Sequence, residues 1–522
     1  MKKAKAASKI RAASKTKATP VSSEWDMPVA GTILMVCVLY AIWIVSIGWS
    51  NTLNDHHSFR QTQTAITAYY LKEDGFRLDY ETPVLGKPWS TPLEFPLYQW
   101  VAARLSSIFD MPLDQSGRFV SFVFFLLLAA PLYQLLGRLK VSVPHRFVML
   151  SILLTSPFYL FWSRTFMIES TALFCCFAYL SCLSMAMASR SVWLGALTVL
   201  IGALAGLTKI TTWLPFLLCS TLMITRDYWC WSLKLPDKQQ LRRFLPPLLI
   251  FCGIPFLIAF WWVKYTDHFK DFHPLAYTNT SANTHDWVFG TLSQKLSWKV
   301  WEIISIRACM VLGMPVPMWT LFFICAIALG LTRRRWKEAC ACLGLFLLSP
   351  IIFTNLHFIH DYYMNANGIF LLGFFAFSVV ALLEGWRTYV AGWVLLGAIL
   401  VTAMFGHRLI FEPAQEEPHE EIRKVAEYVK ENTSKDGVII CLGFDYSPLV
   451  PYYCERRALM IPDWDTLTEA SVEKALENLR GCNVEALVIM EPHHYSLETL
   501  QEQIKKAGFA PKEITIKGFP QR

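Results

Sequence analysis

The chain has 522 residues, of which 54% are apolar and only 17% are charged, with 20 Trp and 36 Phe. Soluble globular chains carry about 25% charged residues, so this composition excludes disordered, coiled-coil and nucleic-acid-binding proteins. Apolar runs such as Pro28 to Gly48 and Phe119 to Leu136 reach the roughly 20 residues that a helix needs to cross a bilayer. We therefore expect a multi-pass α-helical membrane protein.

The formal net charge of +8 is unevenly distributed along the chain. No acidic residue precedes Glu24, whereas the preceding segment contains Lys2, Lys3, Lys5, Lys9, Arg11, Lys15 and Lys17. Positive charge beside a transmembrane helix is retained in the cytoplasm, so residues 1–27 are predicted to be a basic cytoplasmic tail. The first apolar run is too long for the core of a signal peptide and has no small-residue cleavage site, so we expect it to stay attached.

Length and loop charge together predict about eleven spans. The basic loops around Arg138, Arg242 and Arg334 alternate with other loops and fall on the side of the amino terminus. An odd number of spans then places everything after Met404 outside, and the fifth and sixth spans are nearly fused around Lys209. The predicted spans are 28–49, 117–137, 146–162, 166–187, 191–208, 210–225, 244–264, 309–331, 338–353, 366–384 and 388–406.

Three outer segments are large enough to hold chemistry. The first loop, residues 50–117, is unusually long, and its apolar residues from Leu97 to Ile108 recur at helical spacing. That spacing predicts an amphipathic helix lying in the membrane interface. The second is the loop from Tyr265 to Ile306, and the third, from Thr354 to Asn365, is short and rich in His and Tyr.

Residues 407–522 have a much higher density of charge than the rest of the chain. Apolar residues at helical spacing alternate there with short apolar runs at Val438–Leu442 and Ala486–Met490. A last helix is predicted from Ser496 to Ala507, with Gly508 as its stop. This alternation predicts a small α/β domain with a largely parallel sheet. The run 445–448 follows its first strand, where α/β sheets bind ligands, and also has the composition of a simple turn.

Ionisable residues are costly in a bilayer, so those beside spans require an explanation. Asp55 follows the first span and precedes a helix predicted from Phe59 to Lys72. One interpretation makes Asp55 the N-cap of that helix. The other makes it a general base at the membrane surface, with a pKa raised by a low-dielectric setting.

Two cations beside later spans have similar alternatives. Arg164 lies five residues before Glu169, so a mutual ion pair is the simplest interpretation, although Arg also suits bidentate recognition of phosphate. Lys209 interrupts an apolar stretch, where it either extends towards the interface or holds a lipid phosphate. Cations beside spans on the outer side indicate an anionic head group on an apolar tail.

His357 and His360 form an H-x-x-H pattern beside Asp361. One such pair lacks the third and fourth ligands that zinc requires, so recognition of a sugar or phosphate is favoured over a metal site. The cysteines lie mostly inside spans and have no zinc spacing.

In layout and short motifs, the chain resembles the GT-C glycosyltransferases, in the branch of protein O-mannosyltransferases and bacterial aminoarabinose transferases. The shared features are an acid after the first span, a long first loop with two surface helices and an acid-aromatic-proline motif at 94–100. They continue with Arg118 at the second span, Arg164 and Glu169 around the fourth, then Lys209 and a His/Tyr loop. The similarity covers about residues 28–406, and residues 407–522 resemble extra outer domains of some bacterial members.

The resemblance implies a transferase that takes a sugar from a polyisoprenyl-phosphate donor at the outer face of the inner membrane, with inversion. Asp55 would be the base on the acceptor, while Lys209, Arg164 and Arg60 would bind the donor phosphate. The acceptor class (lipid, glycan or protein) stays open, as does a divalent metal. The other predicted substrate-binding residues are His56, Glu94, Tyr98, Glu169, His357, His360 and Tyr363. Relatives often have Asp-Glu after the first span, whereas Asp55 is followed by His56.

Two other classes of protein remain to be compared with this interpretation. A transporter or lipid flippase predicts ionisable or broken helices in mid-membrane and two related halves, whereas the mid-span regions are almost purely apolar and show no internal repeat. A scaffold whose function lies in the α/β domain would leave the long first loop unexplained.

Overall fold

A computed structural model describes residues 26–229, 238–418, 420–490 and 493–516. Apart from its last two residues, the predicted basic tail 1–27 lies outside the described residues. The described chain consists mainly of helices, and its strands all lie near the carboxyl end. This arrangement confirms a helical membrane protein with a small α/β part.

The helices that match predicted spans are distributed along residues 26–410. Six helical stretches are long and apolar enough to cross a membrane, namely Asp26–Ser46, Leu113–Arg138, Glu169–Ser189, Lys238–Asp271, Pro315–Thr332 and Tyr389–Ile410. Shorter apolar helices occur at Val143–Thr155, Val192–Thr208, Ile210–Arg226 and Gly368–Leu383, and Trp336–Ile352 completes the set of eleven predicted segments. Gly368–Leu383 is buried along nearly its whole length, which places it at the centre of the bundle.

The helices of the first half are numbered here in chain order. They are α1 (Asp26–Ser46), α2 (Ser58–Asp74), α3 (Leu97–Phe109), α4 (Leu113–Leu127), α5 (Ala129–Arg138), α6 (Val143–Thr155), α7 (Pro157–Trp162), α8 (Glu169–Ser189), α9 (Val192–Thr208), α10 (Ile210–Trp229), α11 (Lys238–Leu248) and α12 (Ile254–Asp271). A π-helical segment, Leu249–Gly253, joins α11 to α12, and a 3₁₀ turn at Ala276–Asn279 follows.

The second half continues with α13 (His285–Phe289), α14 (Leu292–Leu296), α15 (Trp298–Cys309), α16 (Pro315–Thr332), α17 (Trp336–Ile352), α18 (Thr354–Ile359), α19 (Gly368–Leu383), α20 (Tyr389–Ile410) and α21 (Glu412–Glu416). A 3₁₀ turn at Asp361–Ala366 separates α18 from α19. The carboxyl-terminal part comprises α22 (Glu420–Glu431), β1 (Val438–Leu442), α23 (Leu449–Cys454), β2 (Arg457–Ile461), α24 (Glu469–Asn478), β3 (Val484–Met490), α25 (Leu497–Lys506) and β4 (Lys512–Ile516).

Several predicted spans differ from the observed helices because proline interrupts or starts them. The span predicted at 146–162 is two helices that separate at Ser156, directly before Pro157. The span predicted at 309–331 begins only at Pro315. Proline has no N–H to donate and its ring clashes with the preceding turn, so it is tolerated at a helix start and disrupts a helix interior.

The first loop contains the two helices that the sequence predicted. The helix expected from Phe59 to Lys72 is α2, and the amphipathic run is α3, whose Ile108 and Phe109 are exposed. Between these helices the chain is held by side-chain contacts, such as the bond from the Tyr80 hydroxyl to the Glu94 carbonyl at 2.7 Å.

The strands form one sheet in the order β2-β1-β3-β4, and every pair is parallel. Strand β1 lies between β2 and β3. The chain leads from β1 to β2 on one side and then crosses to β3 on the other side, so the strand order reverses at β1. Helices α24 and α25 bury Val472, Leu476 and Leu500 as part of the same apolar core. The prediction of a parallel α/β layer is confirmed.

The first loop also extends this sheet at the free edge of β2. The amides of Ala458 and Met460 donate to the carbonyls of Pro83 and Val84 at 2.9 and 2.8 Å, and Gly86 donates back to Ala458 at 3.0 Å. Backbone pairing of this kind covers a sheet edge that would otherwise be open to other chains. The loop and the α/β layer are therefore joined by main-chain hydrogen bonds.

Side chains strengthen the same attachment. Tyr452 and Tyr453 both donate to the Asp114 carboxylate at the start of α4, and Arg457 pairs with Glu81 at 2.8 Å. These contacts fix the α/β layer against the end of the membrane helices that carries the first loop.

Candidate active site

Asp55 lies between α1 and α2 with only 4% of its side chain exposed. Its Oδ2 accepts a hydrogen bond from Arg164 Nη1 at 3.2 Å and lies 3.9 Å from Arg118 Nη2. Its Oδ1 accepts a hydrogen bond from the Gln61 side-chain amide. Two hydrogen-bond donors and a third, nearby cation, on separate segments, therefore fix the orientation of this carboxylate.

The N-cap interpretation of Asp55 is wrong. Helix α2 begins at Ser58, and its N-cap is His57, which makes no side-chain capping bond. Asp55 contributes only its backbone carbonyl to this turn, as acceptor from the Ser58 amide at 3.2 Å. The Asp55 carboxylate is thus free of capping and is directed to the arginines.

The groups that hold Asp55 are themselves anchored to backbone. Arg164 donates to the Gly48 carbonyl at 3.0 Å, and the Gln61 side chain accepts from the Phe166 amide at 3.0 Å. Charge-assisted hydrogen bonds of this type are stronger than neutral ones. Arg118, with its side chain fully buried, donates to the carbonyls of Trp49, Asn51 and Thr52.

Lys209 occupies the single-residue break between α9 and α10 and forms a second charged group with Glu169. Its Nζ donates to Glu169 Oε1 and lies 4.5 and 5.0 Å from the ring centroids of Tyr363 and Tyr362. The two charged side chains are 7% and 1% exposed. Lys209 therefore does not extend to the interface, and aromatic faces support its charge.

The ion pair expected between Arg164 and Glu169 is absent. Arg164 pairs with Asp55, and Glu169 pairs with Lys209. The five-residue spacing falls where the chain turns between α7 and α8, so the two side chains are not on one helix face. Within the described part of the chain, no group donates to Glu169 Oε2, which leaves one buried carboxylate oxygen unsatisfied.

Arg60 forms an ion pair with Glu94, its counterpart from the segment before α3. Burial opposes the charged form of Arg60, but the surrounding acidic groups, Glu94 foremost, together outweigh burial and hold the pKa of Arg60 above its ordinary value. Tyr362, Glu169 and Tyr363 also act on this pKa. Arg60 is therefore electrostatically coupled to the group around Lys209.

His57 and Asp361 form an imidazole–carboxylate pair that the sequence interpretation did not identify. His57 Nε2 lies 2.8 Å from Asp361 Oδ1, and the imidazole packs edge-on against Tyr362. Burial raises the pKa of Asp361, but the hydrogen bond from His57 and the electrostatic effects of His57, His56 and Arg307 together lower it below its ordinary value. His57 also has φ of 54°, a left-handed conformation that non-glycine residues seldom adopt outside constrained sites.

Among the predicted histidines, His357 has both ring nitrogens engaged inside the fold. One lies 3.0 Å from the Phe353 carbonyl and the other 3.3 Å from the Asn367 side chain. His360 instead stacks on Tyr362, and burial lowers the pKa of both imidazoles to about 4. No three His, Cys, Asp or Glu side chains gather in metal-binding geometry among the described residues.

Two further predicted residues lie at the margins of this region. His56 is exposed, with its ring edge-on to Phe161. Tyr98 is fully buried, and its hydroxyl donates to the Gly117 carbonyl at 2.8 Å. Tyr98 therefore lies in the packing between α3 and α4, without a free polar group.

The structure thus brings together side chains from four segments that are far apart in sequence. Asp55 and Arg60 come from the start of the first loop, Arg164 from the α7–α8 connection, and Lys209 from the α9–α10 break, beside tyrosines of the 354–365 loop. The sequence did not identify Gln61, His57, Asp361 or Tyr362 as site residues. Their closeness to Asp55 or to the His/Tyr loop was the only available signal.

A helical membrane bundle with a long two-helix first loop, an acid after its first span and an attached α/β layer has the architecture of a GT-C glycosyltransferase. Solved structures that share this fold include two of ArnT, an aminoarabinose transferase, from Cupriavidus metallidurans. The structure of ArnT bound to undecaprenyl phosphate matches with a TM-score of 0.56 and 12% identity, covering 92% of this chain and 89% of ArnT.

The apo structure of ArnT matches with a TM-score of 0.50 and 13% identity, covering 87% of this chain and 89% of ArnT. No protein-family model matches the sequence, and no curated protein matches it. At such low identity the likeness establishes the fold, and the sequence-based resemblance to GT-C enzymes is confirmed at that level.

Proposed function

We propose that this protein transfers a sugar from a polyisoprenyl-phosphate donor to a hydroxyl of a lipid, glycan or protein acceptor. The observation that carries this proposal is the buried Asp55 carboxylate, fixed by Arg164, Arg118 and Gln61. It lies at one end of a membrane bundle whose fold is shared with a protein crystallised with undecaprenyl phosphate. A donor with an apolar tail and an anionic head group matches a site where cations lie at the end of membrane helices.

Asp55 acts as the general base on the acceptor hydroxyl. Each carboxylate oxygen has two lone pairs, so the bonds from Gln61 and Arg164 leave acceptor capacity on both oxygens. The acceptor oxygen attacks the anomeric carbon as its proton passes to Asp55, and the bond to the donor phosphate breaks on the opposite face. A single displacement of this kind inverts the anomeric configuration.

Lys209 and Arg60 stabilise the departing phosphate, whereas Arg164, which is hydrogen-bonded to Asp55 and to the Gly48 carbonyl, holds the base on the opposite face. Fixed cations in a site with little water lower the barrier when negative charge develops on a leaving group. Glu169 and Glu94 form ion pairs with Lys209 and Arg60. We infer that the donor phosphate replaces these carboxylates as the partner of the cations.

The position of the charged groups favours a transferase over a transporter. Asp55 follows α1, Glu169 begins α8, and Lys209 ends α9, so each lies at a helix end and none at a mid-span position. With the amino terminus in the cytoplasm of an inner-membrane protein, this end and the α/β layer of residues 407–522 face outwards. The basic loops around Arg138 and Arg334 support that orientation.

The full chain in lipid nanodiscs tests the role of Asp55. We expect Asp55→Asn to abolish sugar transfer from a panel of undecaprenyl-phosphate-linked sugars while the variant still binds undecaprenyl phosphate. Asp286→Asn is the matched control, because its carboxylate is 78% exposed in another loop, and it should retain activity. Undiminished transfer by Asp55→Asn would remove Asp55 from the role of base.

A further inference from the structure

The loop after β1 contacts the helix that carries Arg60. Tyr446 packs edge-on against Phe59, with ring centroids 4.8 Å apart, and against Trp464, with centroids 5.2 Å apart. Phe59 directly precedes Arg60, and both Arg60 and Tyr363 act on the pKa of Tyr446, which burial raises to about 12. The α/β layer thus places an aromatic pair beside the charged groups described above.

The backbone of this loop is strained. Gly443, Phe444 and Asp445 have φ of 90°, 69° and 50° in succession. The left-handed region is unfavourable for L-residues, and such strain persists only where surrounding contacts enforce it. At Gly443 a Cβ would lie 2.1 Å from the Met490 carbonyl oxygen, so only glycine fits where the loop passes the end of β3.

Reciprocal hydrogen bonds enforce this conformation. The Asp445 amide donates to Asp463 Oδ2 at 3.2 Å, and the Asp463 amide donates to Asp445 Oδ1 at 3.0 Å. Asp463 follows β2 and directly precedes Trp464, so the same pair of bonds positions both aromatic residues. Within the described residues, no group donates to Asp463 Oδ1.

The location is also the one at which parallel α/β sheets bind ligands, outside the carboxyl ends of the strands where the strand order reverses. The donor chemistry proposed above uses only the membrane part of the chain. The strained loop at that edge packs on the helix that carries Arg60 and has no role in the proposed binding of the donor. We therefore assign it to the acceptor.

The side chains of the loop favour one chemical class of acceptor. Two neighbouring carboxylates, Asp445 and Asp463, repel an anionic group and accept hydrogen bonds from hydroxyls. Tyr446 and Trp464 are both half-buried, and side chains of this type combine an apolar ring with a polar tip. A sugar ring, with an apolar C–H face and hydroxyls around its edge, matches both properties better than a phosphate or carboxylate does.

Building on the proposed transferase function, we propose that Tyr446 and Trp464 bind a sugar ring of the acceptor, so that its hydroxyl reaches Asp55. Asp445 and Asp463 are positioning residues that hold the two aromatic side chains. The α/β layer then determines acceptor specificity, while the membrane part binds the donor. A free glycan and a glycolipid share this chemistry.

The test measures acceptor and donor binding separately on the full chain in nanodiscs. Saturation-transfer NMR probes the methyl glycosides of mannose, galactose, glucose and N-acetylglucosamine, and a parallel titration measures the affinity for undecaprenyl phosphate. We expect at least one glycoside to bind, and Tyr446→Ala or Trp464→Ala to weaken its binding at least ten-fold. The affinity for undecaprenyl phosphate should stay within two-fold.

The matched control is Tyr428→Ala, because Tyr428 is a half-exposed tyrosine of the same α/β layer, on α22. It should retain glycoside binding. Absence of glycoside binding by the wild type, unchanged binding in Tyr446→Ala, or an equal loss of undecaprenyl phosphate affinity would each overturn the proposal. In transfer assays, a raised KM for the acceptor with an unchanged KM for the donor would support it.

Two further results separate the possibilities that remain. Comparing a methyl glycoside with the same sugar on diacylglycerol distinguishes a free glycan from a glycolipid, and preference for either supports the sugar site. If glycoside binding depends on Tyr446 while no linked sugar is transferred from any donor, the sugar site stands and the transferase proposal fails.

Discussion

The buried pair of Lys209 and Glu169 gives the sharpest prediction on stability and donor binding together. Both side chains are at least nine-tenths buried, and removing one partner of such a pair leaves an uncompensated charge that costs about 3–5 kcal/mol. We therefore expect Lys209→Met and Glu169→Met each to lower the free energy of unfolding by that amount. The double variant should recover to within about 1 kcal/mol of the wild type, because apolar residues of similar volume replace a buried ion pair at little net cost.

Donor affinity should respond with opposite signs in the two single variants. Lys209→Met removes a charge-assisted contact to the phosphate worth about 1.5–3 kcal/mol, which weakens undecaprenyl phosphate binding about 10- to 100-fold. Glu169→Met removes the carboxylate that competes for Lys209, so binding should tighten. The double variant should bind as weakly as Lys209→Met, although its stability recovers.

Unfolding in mixed detergent micelles and titration with undecaprenyl phosphate in nanodiscs measure the two quantities. Lys209→Arg keeps the charge and serves as the conservative control. Equal stability of the wild type and the three Met variants would refute the buried pair. Weaker phosphate binding in Glu169→Met would refute the idea that Glu169 is a competing counter-ion.

Two other predictions concern histidines outside the membrane helices. His57→Gln keeps a donor for Asp361 but removes the imidazole beside the site, so sugar transfer should fall at least ten-fold with unchanged undecaprenyl phosphate affinity; a parallel loss of affinity would instead place His57 at the phosphate. His273 accepts two backbone amides at Nδ1, and burial lowers its pKa to about 4. In the unfolded chain the His273 imidazole binds a proton below about pH 6.5, whereas in the folded chain it does so only near pH 4. At pH 5.5 this difference should lower the free energy of unfolding by roughly 1 kcal/mol. Unfolding at pH 5.5 and 7.5 should show a smaller difference in His273→Gln, and an identical difference would contradict this assignment.

The membrane architecture could be predicted from the sequence, because hydrocarbon imposes a strong and local requirement. A helix must be apolar over roughly 20 residues to cross the bilayer, so runs such as Pro28 to Gly48 are recognisable without any partner. Helical and strand periodicity was equally local, and the parallel α/β layer with its last helix ending before Gly508 followed from it. The predicted helix ends were wrong mainly near prolines. One predicted span is interrupted at Ser156, and another begins only at Pro315.

For the site, the sequence identified unusual charges and could not assign their partners. A charge beside a span needs a counter-charge, but that rule does not say which one, and sequence proximity suggested Glu169 for Arg164. The actual partner, Asp55, is 109 residues away.

These long-range partners could be assigned only from the folded chain, because pairing depends on where separate helix ends meet in space. It joined His57 to Asp361 across 304 residues and brought Tyr446 against Phe59. It also paired the first loop with the edge of β2, an association that rests on backbone groups common to all residues and therefore leaves no trace in the side-chain pattern.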